Sequence, residues 1–297
     1  MANELSGMVG DVEELVGARV CELLGPFVEE RTLQGMMGGK MLRTRLAARL
    51  AARPGADIRR ADLLNACAAV ELVHTASLCH DDVVDGGLTR RHGPTLWQSH
   101  GRKGAILLGD LLLCAAFRTV ARTRPEWVEL FAAKLAEVAA TEARQELLSL
   151  GEEACEADCL ARARGTTGPL FAFAARVTAG EEEALGAALE EAGYLVGTAY
   201  QVGDDLLDTV GRDERAGKTL GTDALRRKPT LAAMGPRGRE LSCEHVARLC
   251  AEAREALSDW PPAARALEDF LVFDLQPVFD RQIPGLDVRT AAEMSDG

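Results

Sequence analysis

An all-α fold, built as one helical domain, is predicted for this 297-residue chain on three observations. Alanine, leucine, glutamate and arginine dominate while aromatic residues are only 4%, a helix-forming mixture with few strand signals. Apolar residues recur at helical rather than alternating spacing almost throughout. No Ser/Gly-rich linker, low-complexity tract or solenoid-period repeat divides the chain, so residues 1–297 read as a single domain with loose tails at 1–6 and 284–297.

Helices are expected near 8–30, 41–53, 59–84, 103–123, 126–150, 156–163, 168–179, 181–209, 243–258 and 262–281. Pro125 and Pro261–Pro262 stand where proline is tolerated, at helix starts. Gly86–Gly87, Gly101 and Gly211 fall just past helix ends, where a left-handed residue is wanted. The interval 210–230 is the least helical, glycine-rich and charged, and its make-up suits a lid.

Bulk properties exclude several function classes. A net charge of −12 argues against nucleic acid and against general attraction to anionic membranes. The N-terminus carries acids and lacks the basic-then-apolar layout of a signal peptide. The longest apolar run, GAILLGDLLLCAAF, is interrupted at Gly109 and Asp110 and reads as too short to span a bilayer. Eight cysteines read as reduced thiols of a cytoplasmic protein, and no partner pair completes a zinc site around Cys155 and Cys159.

Two aspartate clusters share one spacing: Asp81, Asp82 and Asp85 in HDDVVDGG, and Asp204, Asp205 and Asp208 in GDDLLDTVG. Each ends an apolar helical run, and on a helix positions i and i+4 share a face about 6 Å apart. Three carboxylates at one helix end repel one another unless cations neutralise them. Oxygen-only ligands suit Mg²⁺, which keeps several waters and bridges protein carboxylates to substrate phosphates. One such cluster is an ordinary solvated helix end; two, each closing an apolar helix, are not.

Cations complete the constellation. Gly38-Gly39-Lys40-Met41-Leu42-Arg43 opens a helix after a glycine turn, so Lys40 and Arg43 sit on its first face beside unpaired backbone N–H groups, an anion-favouring place. Arg90 and Arg91 follow the first cluster, Lys218 and Lys228 follow the second, and His74 lies two turns before Asp81 on roughly the same face. Taken singly, each reads as solvated surface or, for His74, a core histidine; their joint placement points to phosphate binding.

These stretches, GGKMLR, ELVHTASLCHDDVVDGGLTRRHGPT, LLGDLLL, EARQ, YQVGDDLLD and GKTLGTDALRRKPTL, resemble the trans-isoprenyl diphosphate synthase (polyprenyl synthetase) family across roughly residues 35–231. The resemblance implies an isoprenoid synthase-like helical fold around a deep cavity, three Mg²⁺ ions and a homodimer. It implies Mg²⁺ ligation by Asp81, Asp85 and Asp204, supported by Asp82, Asp205 and Asp208. Lys40, Arg43, His74 and Arg91 match the residues holding isopentenyl diphosphate; Arg90, Lys218 and Lys228 match those around the allylic diphosphate. Gln201 and Gln145 match glutamines lining the site. The implied reaction ionises the allylic diphosphate, and the double bond of isopentenyl diphosphate attacks the cation, giving an all-trans polyprenyl diphosphate.

The pattern breaks in three places. Met41 and Thr44 replace an arginine and a proline, leaving the contacts Lys40 and Arg43 intact. Thr141 replaces a glycine, which reads as a packing change. Thr166 stands where a lysine to the allylic diphosphate is expected, and Arg164, two residues earlier, faces elsewhere on a helix. Ala76 and Ser77, just before the first cluster, are small where shorter-chain synthases carry an aromatic, which favours a geranylgeranyl or longer product. A class I terpene cyclase needs no second diphosphate pocket, and a non-catalytic partner subunit of a heteromeric synthase would be expected to lose aspartates. Both are the competing readings.

Overall fold

The computed structural model describes residues 2–90, 93–148, 155–210, 230–283 and 285–288. Eleven α-helices occur among them, in chain order α1 (Ala2–Leu24), α2 (Glu30–Met36), α3 (Leu42–Ala51), α4 (Arg60–Asp85), α5 (Leu96–Thr123), α6 (Val128–Leu148), α7 (Glu156–Arg176), α8 (Glu183–Val210), α9 (Gly238–Glu255), α10 (Pro261–Phe270) and α11 (Gln276–Gln282). The described strands are β1 (Thr89–Arg90) and β2 (Gly93–Pro94), a two-stranded antiparallel hairpin between α4 and α5. The all-α prediction is met.

Helix α7 is the centre of the molecule. Apart from Thr166, its residues 165–175 are all buried, the signature of a helix packed on every side. Phe171 enters one apolar core with α3, α8 and the C-terminal helices, while Phe173 enters a second core with α1, α4 and α5. The sequence reading split α7 into 156–163 and 168–179, with Gly165 between them and Gly168 and Pro169 opening the second piece. One helix runs through all three. Gly168 serves its crossing with α8, together with two glycines of α8: a Cβ on Gly193 would stand 2.7 Å from Ala172 Cα, and one on Gly197 would stand 2.8 Å from Gly168 Cα. Backbone-to-backbone approach of this kind excludes any side chain.

Other boundaries differ for local reasons. The expected helix 8–30 ends at Leu24, and α2 follows separately; because α1 already runs from Ala2, the loose tail expected at 1–6 is helical from there. Helix α5 spans Leu96–Thr123, but its backbone breaks at Gly101 (φ 73°), so a short helix before the kink meets a long one that starts close to the expected 103. By length and composition alone α5 would be long and apolar enough to cross a membrane, a test that core helices of globular proteins also pass. One face of α5 packs into the core through Ala105, Leu108, Leu112, Ala116 and Val120. The C-terminal segment is docked as far as 288: Gln276 Nε2 donates to Leu286 O at 2.9 Å, and Val288 N donates to Gln276 Oε1 at 2.8 Å. Between α10 and α11, a π-helical turn at Leu271–Leu275 contains Asp274, which accepts from Arg45 at 3.2 Å and from Arg49 at 2.8 Å, tying α3 to the C-terminal helices.

Candidate active site

The two aspartate clusters occupy the C-terminal ends of α4 and α8. Accessibility divides the six carboxylates. Asp81, Asp85 and Asp204 are half-buried, whereas Asp82, Asp205 and Asp208 are buried. On α4 this follows from helical geometry, because Asp81 and Asp85 share a face and Asp82 turns inward. Gly86 ends α4 in the left-handed region at φ 68°, as expected of a residue just past a helix end.

The arginine pair follows on the hairpin, whose register pairs Thr89 with Pro94 and Arg90 with Gly93. Three hydrogen bonds pin this hairpin to the end of α4: Thr95 Oγ1 to Gly87 O at 2.9 Å, Trp97 Nε1 to Gly87 O at 2.7 Å, and Thr95 N to Leu88 O at 3.1 Å. The hairpin that carries the backbone of Arg90 is thereby tied to Gly87 and Leu88, which follow Asp85 in the chain. Arg91, Lys218 and Lys228 lie outside the described residues, as does most of the 210–230 interval read as a lid.

The glycine turn reaches both aspartate helices. Gly38 and Gly39 have φ of 81° and 143°, and Met41 is itself left-handed at φ 51°, so the chain doubles back before α3 begins. Lys40 Nζ donates to Tyr200 Oη at 3.1 Å and stands 5.1 Å from the ring centre. Tyr200 lies one turn before Asp204 on α8. Arg43 stacks over Phe171 at 5.1 Å. Burial pulls the Arg43 guanidinium below its usual pKa, opposed by the charge of Glu71 and by Tyr200. His74 lines a small cleft together with Gly38, Met41 and Glu71, and its backbone carbonyl accepts from Ser77 Oγ at 2.9 Å. Thr44 takes up a role no proline can: its hydroxyl donates to the buried Glu71 carboxylate at 2.8 Å.

On α8, Gln201 Nε2 donates to Asp205 Oδ1 at 2.7 Å, and Gln201 Oε1 accepts from Thr167 Oγ1 of α7. Asp205 also pairs with Arg162 of α7, an ion pair whose side chains are 10% and 6% exposed. Thr141 of α6 fills the space opposite Gly165 of α7, which makes that sequence departure a packing exchange. Gln145, further along α6, is buried. Of the two positions expected to line the product tunnel, Ala76 is fully enclosed in the core and only Ser77 keeps accessible surface. The sequence reading missed Arg162, Thr167, Tyr200 and Glu71. Arg162 was findable, since it precedes Thr166 by four residues and so shares its face.

Among the described residues, five buried side-chain nitrogen or oxygen atoms lack a hydrogen-bond partner, and three of them, Arg43 Nε, Gln145 Oε1 and Thr166 Oγ1, belong to residues that the sequence singled out. Buried polar atoms are otherwise satisfied in folded proteins, so these mark where a polar ligand or water belongs. No three His, Cys, Asp or Glu side chains among the described residues gather closely enough to hold a metal alone. The donors on offer are carboxylate oxygens at two helix ends, which fits Mg²⁺ completing its shell with water and phosphate oxygens.

Comparison with known proteins places this geometry. The sequence matches the Polyprenyl synthetase family over residues 28–255. It is 35% identical over 247 residues to a geranylgeranyl diphosphate synthase of Mycobacterium tuberculosis, covering 80% of this chain and 70% of that protein. It is 35% identical over 198 residues to an octaprenyl diphosphate synthase of Haemophilus influenzae, covering 65% of this chain and 60% of that protein. The fold superimposes on a polyprenyl synthase of Caulobacter crescentus, solved with calcium and isoprenyl diphosphate, at a TM-score of 0.77 and 26% identity, over 91% of this chain and 97% of that one. The chain belongs to the polyprenyl synthetase family. The fold is therefore the all-α isoprenoid synthase fold, and the chemistry of its relatives is prenyl transfer.

Proposed function

We propose that this protein is a Mg²⁺-dependent prenyltransferase that joins an allylic diphosphate to isopentenyl diphosphate, giving a geranylgeranyl or longer all-trans polyprenyl diphosphate. The observation that carries this reading is the Lys40–Tyr200 contact, which brings the cationic turn before α3 to within one helical turn of Asp204. A cyclase, acting on one diphosphate, has no use for that second cationic pocket. A non-catalytic partner subunit has no use for six retained aspartates.

In this reading Asp81, Asp85 and Asp204, the accessible carboxylates, hold the metal, and their buried neighbours orient the helix ends. Three Mg²⁺ ions are expected, and bound metal supplies charge neutralisation for the departing diphosphate. Arg90, Lys218 and Lys228 draw charge onto the leaving group, while Lys40, Arg43, His74 and Arg91 hold the acceptor's diphosphate beside it. Gln201 and Gln145 line the wall between them. The apolar body of the site keeps water from the allylic cation. Ser77 sets the room below the metals for the growing chain. The protein is read as cytoplasmic and homodimeric, with a second copy covering the apolar face of α5.

The test is incubation with Mg²⁺, isopentenyl diphosphate and dimethylallyl, geranyl or farnesyl diphosphate, with products read by mass spectrometry. Chains of 20 carbons or more are expected, and Asp81→Ala or Asp204→Ala should lower turnover by more than about a hundredfold. A hydrocarbon formed from the allylic substrate alone would establish the cyclase instead. No turnover without a second polypeptide would establish the partner subunit.

A further inference from the structure

We propose that Arg162 of α7 is the α7 residue that grips the allylic diphosphate, an inference that rests on the function proposed above. Helix α7 carries three cations, and their surroundings separate them. Arg164 pairs with Glu191 at 2.6 Å and stacks on the Tyr194 ring at 4.3 Å. Arg176, at the far end, pairs with Glu183 at 2.7 Å. Arg162 alone is directed at the second aspartate cluster, where it meets Asp205 inside the fold. Asp205 is held in turn by Gln201, and Gln201 by Thr167, so the guanidinium belongs to a hydrogen-bonded chain that crosses from α7 to α8 and back.

One turn along the same face, Thr166 Oγ1 is buried without a hydrogen-bond partner. Arg162 and Thr166 therefore set one cation and one unsatisfied hydroxyl on the same face of α7, with the cation at the cluster. That combination receives phosphate oxygens. A guanidinium can hold a carboxylate on one edge and a phosphate oxygen on another, which a compact ammonium does less well. The sequence left α7 without a cation for this diphosphate, because Thr166 occupies the expected position and Arg164 faces away. Arg162 supplies the charge from four residues earlier.

The experiment is a double-mutant cycle on Arg162→Ala and Thr166→Lys, read by calorimetric titration of farnesyl diphosphate with Mg²⁺ and no acceptor, and of isopentenyl diphosphate separately. Loss of one charge-assisted hydrogen bond should weaken farnesyl diphosphate binding roughly 10- to 100-fold in R162A and leave isopentenyl diphosphate binding unchanged. Thr166→Lys should restore affinity in the R162A background and add little to the wild type, because the two positions share a face. The inference is overturned if R162A binds farnesyl diphosphate normally, if both substrates weaken alike, or if the two substitutions are additive. Wild-type protein that binds neither substrate overturns the proposed function itself, and this inference with it.

Discussion

Ala76 and Ser77 are neighbours in sequence, yet the fold gives them different tasks. Ala76 is sealed in the core at 0% exposure, so Ala76→Phe overpacks a filled core and should cost about 1–3 kcal/mol, seen as a lowered thermal midpoint. Ser77 keeps accessible surface beside His74, so Ser77→Phe should leave stability near wild type and shorten the product. Unchanged product length in a folded Ser77→Phe protein would move the tunnel floor elsewhere. The six aspartates were readable from spacing alone. Their division into accessible and buried members needed the orientation of each helix end.

Between elements, the α7–α8 crossing sets the geometry of the second cluster. Gly197 faces Gly168 across it with no room for a methyl group. In an isolated helix, glycine to alanine is favourable by about 1 kcal/mol. Here Gly197→Ala should instead destabilise by about 1–3 kcal/mol, because the obstructing atoms are backbone and cannot rotate aside. The sign of the shift in thermal denaturation is therefore diagnostic, and a rise in midpoint would refute the tight crossing. The same crossing brings Thr167 and Arg162 to Gln201 and Asp205, so helix spacing and site assembly are one feature. Sequence reading failed at this point because Gly-Thr-Thr-Gly-Pro carries local breaker chemistry, and only close packing explains why a helix persists through it.

For the whole molecule, the exposed apolar face of α5 is the main feature a lone copy leaves unexplained. Ile106, Leu107 and Leu111 are 43%, 63% and 38% exposed along one side of a helix whose other side is core. Contiguous apolar surface of this kind marks an interaction face. In a homodimer that buries it, Leu107→Asp should dissociate the dimer, as measured by sedimentation equilibrium at micromolar concentration. A wild-type protein that sediments as a monomer would remove the basis for that assignment.

The sequence by itself determined the fold class and the two carboxylate helix ends, because helical periodicity and i, i+4 spacing are local properties. The glycine turn before α3 was likewise written in a short stretch. Tertiary structure alone decided which carboxylates remain accessible, that Thr44 satisfies a buried Glu71, and that Arg162 meets Asp205. Those outcomes depend on which helix faces meet and how closely. Such contacts join residues tens to hundreds of positions apart, where no local pattern can register them.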